Sequence, residues 1–175
     1  SPAQTVLTKD GRLAYVANSG SSSVSVIDVP TRKLKATIAV GAGPSVAQPG
    51  PGGMVYVKNE IHPSISVVDP STFRVVKAFT LEYVPGTVAP ADGGEIWISA
   101  PSRDGIEIRS EDGEVLRFVP TGRGAHSVAF SADGTRAYAS NQLEDTVAVI
   151  DRSSFAVTAR IPVGARPNGL AWRSR

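Results

Sequence analysis

Residues 127–162, SVAFSADGTRAYASNQLEDTVAVIDRSSFAVTARIP, decide the fold class. Apolar residues in this stretch alternate with polar ones or form short runs, which is typical of strands and not of helices. Four strands are predicted, at 127–131, 137–140, 147–150 and 156–162. Asp133-Gly134 predicts a tight turn between the first two strands, because both residues tolerate a positive φ. The stretch therefore predicts a four-stranded antiparallel meander.

The same pattern recurs along the chain with a period of 41 residues. Three classes of position keep this spacing: an aromatic residue, a glycine and a β-branched aliphatic residue. They are Tyr15, Tyr56, Trp97 and Tyr138; Gly11, Gly52, Gly93 and Gly134; and Val26, Val67, Ile108 and Val149. One such sheet cannot bury both of its apolar faces, so repeats of about 40 to 45 residues are expected to stack as β-propeller blades. The predicted fold is all-β, with almost no helix.

The repeat predicts a single propeller domain, 1–175, with four blades of four antiparallel strands. The blades are expected at approximately 2–43, 44–84, 85–124 and 125–165, and an extra inner strand at 166–173. An open ring would expose strand edges and an apolar sheet face. Four blades would be a C-terminal fragment, a half-ring that pairs with another chain, or an unusually small closed ring. We favour an incomplete ring that a protein partner or a second propeller half completes, and a homodimer is one form that this completion would take.

Three tetrapeptides carry a resemblance to a known family: Tyr15-Val16-Ala17-Asn18, Tyr56-Val57-Lys58-Asn59 and Tyr138-Ala139-Ser140-Asn141. With the Val-Ser-Val-Ile-Asp segment at 24–28 and its copies, they resemble YVTN-type β-propeller repeats, of the superfamily that includes cytochrome d1-like propellers. Trp97-Ile98-Ser99-Ala100 departs from the motif, and its repeat is assigned by spacing. The resemblance implies a periplasmic or extracellular location. It also brings lactone hydrolysis and haem binding into consideration, since similar propellers perform both.

Composition excludes several classes of function. Lys and Arg total 18 against 16 Asp and Glu, a net charge of +2, and the basic residues are scattered singly. We therefore expect no nucleic-acid partner. No apolar run approaches the roughly 20 residues of a membrane-spanning helix. The chain has no cysteine, so disulfides, thiolate metal sites and cysteine nucleophiles are excluded.

The recurring aspartates predict turns and not a metal site. One group precedes glycine in hairpin turns and a second group ends a strand, where a carboxylate can accept hydrogen bonds from the next turn. The two groups are Asp10, Asp92 and Asp133, and Asp28, Asp69 and Asp151. No calcium-loop spacing, nucleophile elbow, phosphate loop or zinc motif occurs. The sequence predicts no catalytic residues, no metal and no cofactor.

Candidate binding residues come from the geometry of a meander, which places blade-to-blade loops and second-to-third-strand loops on one face. The set expected near the channel is Glu82, Tyr83, Arg123, His126, Arg166 and Asn168. Glu60, His62, Arg103, Asp104, Glu144 and Asp145 are expected farther out. Function on a rigid scaffold concentrates in such loops. The first hypothesis is a non-enzymatic binding or assembly module. The alternative is an enzyme or cofactor carrier in which His126 is ligand or general base and Arg123 or Arg166 stabilises an anion.

Overall fold

The computed structural model describes residues 1–171, and these residues form sixteen strands. In the first half the strands are β1 (Pro2–Leu7), β2 (Leu13–Asn18), β3 (Ser23–Asp28), β4 (Lys33–Ala39), β5 (Pro44–Pro49), β6 (Val55–Asn59), β7 (Ser64–Asp69) and β8 (Arg74–Thr80). In the second half they are β9 (Val88–Pro90), β10 (Glu95–Ala100), β11 (Gly105–Ser110), β12 (Val115–Pro120), β13 (Ala125–Phe130), β14 (Arg136–Asn141), β15 (Thr146–Asp151) and β16 (Val157–Pro162). Within residues 1–171, no helix has the length and apolar character needed to cross a bilayer.

Consecutive strands pair in four antiparallel sheets of four, in the order of the chain. Sheet 1 is β1–β4, sheet 2 is β5–β8, sheet 3 is β9–β12 and sheet 4 is β13–β16. The helical content of the described residues is three short 3₁₀ turns, at Ser19–Ser21, Pro51–Gly53 and Pro101–Arg103. The predicted all-β architecture of four-stranded antiparallel meanders is confirmed.

The chain divides into two compact units, each built around its own pair of sheets. Unit 1 is Ser1–Val84, which holds sheets 1 and 2, and unit 2 begins at Pro85 and holds sheets 3 and 4. The core of unit 1 contains apolar residues from both of its sheets: Tyr15, Val24, Val26, Ile38, Ala47, Val55, Val57 and Val68. Burial of each large aliphatic side chain contributes about 2 kcal/mol of stabilisation.

Trp97 is the largest fully buried side chain in the core of unit 2. It lies in β10, opposite Ala89 and Ile108 of the flanking strands, so its assignment by spacing alone is confirmed. Its ring meets Phe130 edge-on with the centroids 5.5 Å apart and stacks on Phe155 at 6.0 Å. These rings connect sheets 3 and 4 within one unit.

The predicted hairpin at Asp133-Gly134 forms, but with a different distribution of φ angles from the one expected. Gly134 has φ of 68°, whereas Asp133 is not among the residues with positive φ. The Gly134 N–H donates to the Ser131 carbonyl at 3.0 Å. Of the two residues, Gly134 therefore has the left-handed conformation and Asp133 does not. The Asp133 carboxylate stabilises the turn instead, by accepting a hydrogen bond from Thr135 N at 3.0 Å.

The aspartates that end strands form turns, as predicted. Asp28 accepts a hydrogen bond from Thr31 N at 2.9 Å, and Asp69 accepts one from Ser71 N at 2.8 Å. Asp151 accepts hydrogen bonds from the backbone N–H groups of both Ser153 (3.0 Å) and Ser154 (2.9 Å). Each carboxylate therefore fixes the turn that leads into the outermost strand of its sheet.

The extra strand expected at 166–173 is not formed by residues 166–171, and residues 172 and 173 lie outside the described residues. Arg166 has φ of 50°, which is not an extended conformation, and Pro167 has no N–H to donate to a strand ladder. The polar backbone atoms of this segment instead bond to side chains of sheet 4, at the candidate site.

Candidate functional site at the loop end of sheet 4

The predicted convergence of loops on one face occurs within sheet 4. Ala125 at the start of β13 lies opposite Asn141 at the end of β14, and Thr146 at the start of β15 lies opposite Pro162 at the end of β16. The linker into β13, the 142–145 loop and the segment after β16 therefore share one end of the sheet. We call this region the loop end of sheet 4.

Arg123 and the 142–145 loop are held together by reciprocal hydrogen bonds. The Leu143 N–H donates to the Arg123 carbonyl at 3.1 Å, and Nη2 of Arg123 donates to the Leu143 carbonyl at 3.1 Å. Nε of Arg123 lies 3.7 Å from Oε1 of Glu144, a long and exposed ion pair. An exposed pair of this kind contributes at most about 1 kcal/mol. The loop backbone is thus fixed, while the guanidinium stays accessible to solvent.

Leu143 is the apolar residue of this loop, and its side chain is 57% exposed. It packs over Gly124, which has φ of 70°, and a Cβ at position 124 would lie 2.8 Å from Cγ of Leu143. The next backbone bond, from Gln142 N to the Gly124 carbonyl at 3.0 Å, holds the same contact. The glycine therefore allows the leucine to lie across the linker with one side open to solvent.

His126 contacts the segment that follows β16. Its Nδ1 lies 3.0 Å from the backbone oxygen of Asn168. A carbonyl oxygen can only accept, so Nδ1 carries the hydrogen, and in the neutral ring Nε2 is the basic nitrogen. The ring is half-buried, and the His126 carbonyl accepts a hydrogen bond from Oγ of the buried Ser99 at 2.6 Å.

Two further bonds attach the 166–168 segment to the 142–145 loop. Nε2 of Gln142 donates to Oδ1 of Asn168 at 3.1 Å, and the Arg166 N–H donates to Oδ1 of Asp145 at 2.9 Å. The bond between Arg166 and Asp145 has a counterpart after sheet 3, where the Gly124 N–H donates to Oδ1 of Asp104 at 2.9 Å. The structure therefore brings Arg123, His126, Arg166 and Asn168 to one loop end.

The other two residues of the set expected near the channel, Glu82 and Tyr83, belong to unit 1. Glu82 is exposed and Tyr83 is buried, with 5% of its surface accessible, in the loop that follows β8. A buried ring offers little surface to a partner. Membership of Glu82 and Tyr83 in the binding face therefore stays a prediction.

Unit 1 has an exposed aliphatic residue, Ile61, at the loop position that corresponds to Leu143. Ile61 is 68% exposed in the loop between β6 and β7, and a Cβ on Gly43 would lie 2.7 Å from its Cγ1. Ile61 N donates to the Ala42 carbonyl at 3.2 Å, the counterpart of the bond between Leu143 and Arg123. The sequence analysis missed both aliphatic residues. The available signal was a lone apolar residue at one loop position in two of the four repeats.

The loop end of sheet 4 combines a hydrogen-bonded loop backbone with an exposed aliphatic side chain. Backbone bonds fix the 142–145 loop, Leu143 is exposed, and the Arg123 guanidinium donates to the Leu143 carbonyl. Within residues 1–171, no three His, Cys, Asp or Glu side chains form a group suited to a metal ion. Because Nδ1 of His126 bonds to the Asn168 carbonyl, Nε2 is the ring nitrogen that could accept a proton or bind a ligand.

Comparison with known proteins gives the fold. No family model matches the chain, and no curated protein matches it. Among solved structures it is similar to hydrazine synthase of Kuenenia stuttgartiensis, at 24% identity and a TM-score of 0.82, over 91% of this chain and 48% of that one. It is also similar to the dihydro-heme d1 dehydrogenase NirN, at 20% identity and a TM-score of 0.76, over 96% of this chain and 39% of that one.

A third similar structure is a putative 6-phosphogluconolactonase from Bacteroides fragilis, at 15% identity and a TM-score of 0.78. The match covers 96% of this chain and 56% of that one. The chain thus spans about half the length, or less, of the solved proteins that it matches. Identities this low relate architecture and not activity. The chain has the β-propeller fold, with four-stranded antiparallel blades.

Proposed function

We propose that this chain is a non-enzymatic binding or assembly module that holds a protein partner at the loop end of sheet 4. The observation that carries the proposal is the exposed Leu143, fixed over Gly124 and bonded through its backbone to Arg123. Protein interfaces are enriched in arginine and have an apolar centre, and a few residues carry most of the binding energy. A loop that is already ordered also loses little conformational entropy on binding.

The partner that we propose is a protein, either another copy of this chain or a different polypeptide that supplies further blades. The exposed Leu143 and the solvent-accessible guanidinium of Arg123 at the loop end of sheet 4 support this proposal. We also propose that the repeats belong to the YVTN type, that the chain acts as one propeller domain, and that it works in the periplasm or outside the cell. The Tyr-Val-x-Asn tetrapeptides support the assignment of the repeat type.

Two substitutions, Leu143→Ser and Arg123→Ala, test the binding surface, and Leu116→Ser is the control. Leu116 is a matched residue because it is 55% exposed on β12 of sheet 3, outside the loop end of sheet 4. Light scattering across a concentration series would measure self-association, and quantitative mass spectrometry would measure proteins retained from a source-cell extract. We expect Leu143→Ser and Arg123→Ala to weaken binding at least tenfold, about 1.4 kcal/mol or more, and Leu116→Ser to leave it unchanged. Equal binding by all variants would contradict the proposal.

A second candidate function is that of an enzyme or cofactor carrier, and the geometry of His126 is the observation that favours it. The bond from Nδ1 to the Asn168 carbonyl leaves Nε2 as the nitrogen able to accept a proton or bind a ligand. The names of two similar structures supply substrates to test, a reduced haem d1 and 6-phosphogluconolactone. Saturable haem binding or lactone hydrolysis that His126→Gln abolishes would favour this function. Equal behaviour of wild type and variant would exclude His126 from either chemistry.

A further inference from the structure

We propose that Asn168 is a site of spontaneous deamidation, at which an asparagine of the loop end becomes aspartate or isoaspartate. This inference goes beyond the proposed function and does not depend on it. The chain has four asparagines, and Asn168 is the one followed by glycine. Asparagine amides are chemically labile, and a following glycine has no Cβ to hinder attack by its own backbone nitrogen.

The reaction needs only water as co-reactant. The Gly169 amide nitrogen attacks Cγ of Asn168, so that an N–Cγ bond forms and the Cγ–Nδ2 bond breaks. Ammonia leaves with the proton of the attacking amide, and a succinimide remains. Water then adds to one of the two succinimide carbonyls and breaks its bond to the Gly169 nitrogen, which takes up a proton. Cleavage of the Cγ–N bond gives aspartate, and cleavage of the bond from the main-chain carbonyl of residue 168 gives isoaspartate.

The structure favours this reaction at Asn168. Asn168 and Gly169 are both exposed, in a segment outside the strands, and a Cβ at position 169 would meet no atom of residues 1–171 within 4 Å. No acceptor within residues 1–171 takes a hydrogen bond from the Gly169 N–H. The attacking nitrogen therefore keeps the freedom to reach Cγ of its neighbour.

The structure opposes the same reaction at two other asparagines. Asn59 and Asn141 are fully buried at the ends of β6 and β14. The nitrogen that would attack each one is already bonded, since Glu60 N donates to the Gly43 carbonyl and Gln142 N to the Gly124 carbonyl, both at 3.0 Å. These strand-end amides serve as internal controls in the same molecule.

Asn18 is intermediate in burial between the exposed Asn168 and the fully buried Asn59 and Asn141. It is half-buried, and its Nδ2 donates to Oγ of Ser25 at 2.9 Å. Ser19 follows it, and a serine side chain hinders the approach of the nitrogen more than a glycine does. We therefore expect Asn18 to deamidate more slowly than Asn168.

Deamidation would change the contacts of His126 and Gln142. Both bind residue 168, His126 through the backbone oxygen and Gln142 through Oδ1. Isoaspartate adds a methylene to the main chain and so displaces the carbonyl from Nδ1 of His126. Both products also add a negative charge between the two side chains, which alters the surface at the loop end of sheet 4.

Peptide mapping of the full chain after incubation at mildly alkaline pH tests the proposal. Trypsin does not cut before proline, so residues 161–173 form one peptide that reports Asn168. We expect its conversion to exceed that at the other three asparagines by about tenfold or more, and Gly169→Ala to slow it about tenfold. Conversion no faster than at Asn59 and Asn141, or no slowing in Gly169→Ala, would overturn the proposal.

A second variant separates the effect of sequence from that of structure. Gln142→Gly gives Asn141 the same following residue that Asn168 has, but leaves the backbone bond to Gly124 in place. We expect Asn141 in this folded variant to convert about tenfold more slowly than Asn168 in the folded wild type. In urea, where the bond to Gly124 is lost, we expect Asn141 of the variant and Asn168 of the wild type to convert at the same rate. Equally fast conversion in the folded state would show that the structure gives no protection.

The consequence for His126 has its own measurement. Asn168→Asp introduces the charge without lengthening the backbone, and its His126 ring resonances can be compared with those of aged wild-type protein by NMR. We expect the aged protein to show a second His126 signal that Asn168→Asp does not reproduce, because isoaspartate also displaces the carbonyl. A single unshifted His126 signal in fully converted protein would contradict the proposed link.

Discussion

A Cβ atom on Gly122 would lie 2.6 Å from Nδ2 of Asn141. Asn141 is fully buried at that point, where Nδ2 donates to the Thr121 carbonyl and Oδ1 accepts from the Thr121 hydroxyl. The same relation holds in unit 1, where a Cβ on Gly41 would lie 2.5 Å from Nδ2 of Asn59. In the third repeat the two positions hold Glu82 and Ala100, so the glycine and the asparagine are replaced together.

Gly122→Ala is expected to lower the free energy of unfolding by about 3 kcal/mol, because it adds a steric conflict with Asn141 to a φ of 145°. Gly164 is the matched control. It occupies the corresponding place after β16 and has no positive φ, and a Cβ added to it would meet nothing within 4 Å. Gly164→Ala should change stability by less than about 0.5 kcal/mol. Urea unfolding followed by fluorescence would measure both, and equal effects would refute the steric argument.

Glu107→Ala is expected to destabilise unit 2 by about 3 kcal/mol, since it leaves charged partners without their carboxylate in a largely buried place. Glu107 is 3% exposed, with Oε1 2.6 Å from Nε of Arg109 and Oε2 2.8 Å from Nη1 of Arg103. Glu114→Ala, at an exposed position, should have an effect below about 0.5 kcal/mol. A loss no larger than that of the control, in the same urea titration, would rule out a stabilising role for Glu107.

Acid is expected to destabilise the protein in a window set by two turn carboxylates. Hydrogen bonds from the Ser131 hydroxyl and from Thr135 lower the pKa of Asp133 from 3.8 to about 2, and bonds from Ser153 and Ser154 lower the pKa of Asp151 to about 2. A pKa that is lower in the folded state stabilises the fold above the unfolded value of 3.8, and this contribution is lost as pH falls towards 2.

Carboxyl NMR titration would measure both pKa values directly. Asp133→Asn and Asp151→Asn should each reduce the slope of unfolding free energy against pH between about 4 and 2. Glu111, exposed in the β11–β12 turn, provides a comparison through Glu111→Gln. An unchanged slope in both aspartate variants would show that these turns do not set the acid limit.

Tyr15→Phe is expected to raise the free energy of unfolding by about 1 kcal/mol, or to leave it unchanged. The side chain is fully buried in unit 1, and its hydroxyl finds no hydrogen-bond partner within residues 1–171. Burial, and secondarily the charge of Asp69, raises the pKa of Tyr15, as expected for a hydroxyl removed from water. Tyr15→Ala should instead lose about 4 kcal/mol, because it also removes the buried ring. Thermal unfolding would compare the two, and a clear loss in Tyr15→Phe would reveal a missed partner.

The sequence was a good guide wherever the repeat itself carried the information. Spacing alone placed Trp97 on the second strand of its sheet, although its tetrapeptide lacks the motif. The 41-residue spacing is kept because a shift by one residue would turn the side chains of the strand to its other face. The aspartate turns were predictable for a local reason, since a short carboxylate bonds N–H groups two or three residues away. The common loop end of Arg123, His126, Arg166 and Asn168 followed from strand reversal.

Features that depend on contacts between distant residues were not predictable in this way. The exposure of Leu143 depends on its packing over Gly124, 19 residues earlier in the sequence. Residues 166–171 repeat a strand pattern but lack a strand conformation, and the Arg166 N–H and the Asn168 carbonyl bond to side chains of residues 21 and 42 positions earlier.

The backbone of Arg166 has a consequence for how this position would respond to selection. Gly43 and Gly124 occupy the corresponding place in two other linkers with φ near 70°, and Arg166 adopts φ of 50° there. A side chain in this region costs about 1 to 2 kcal/mol relative to glycine. Mutational drift under selection for folding alone would therefore favour glycine at position 166. Retention of arginine in related sequences would mark a residue kept for its guanidinium group, at the expense of thermal tolerance.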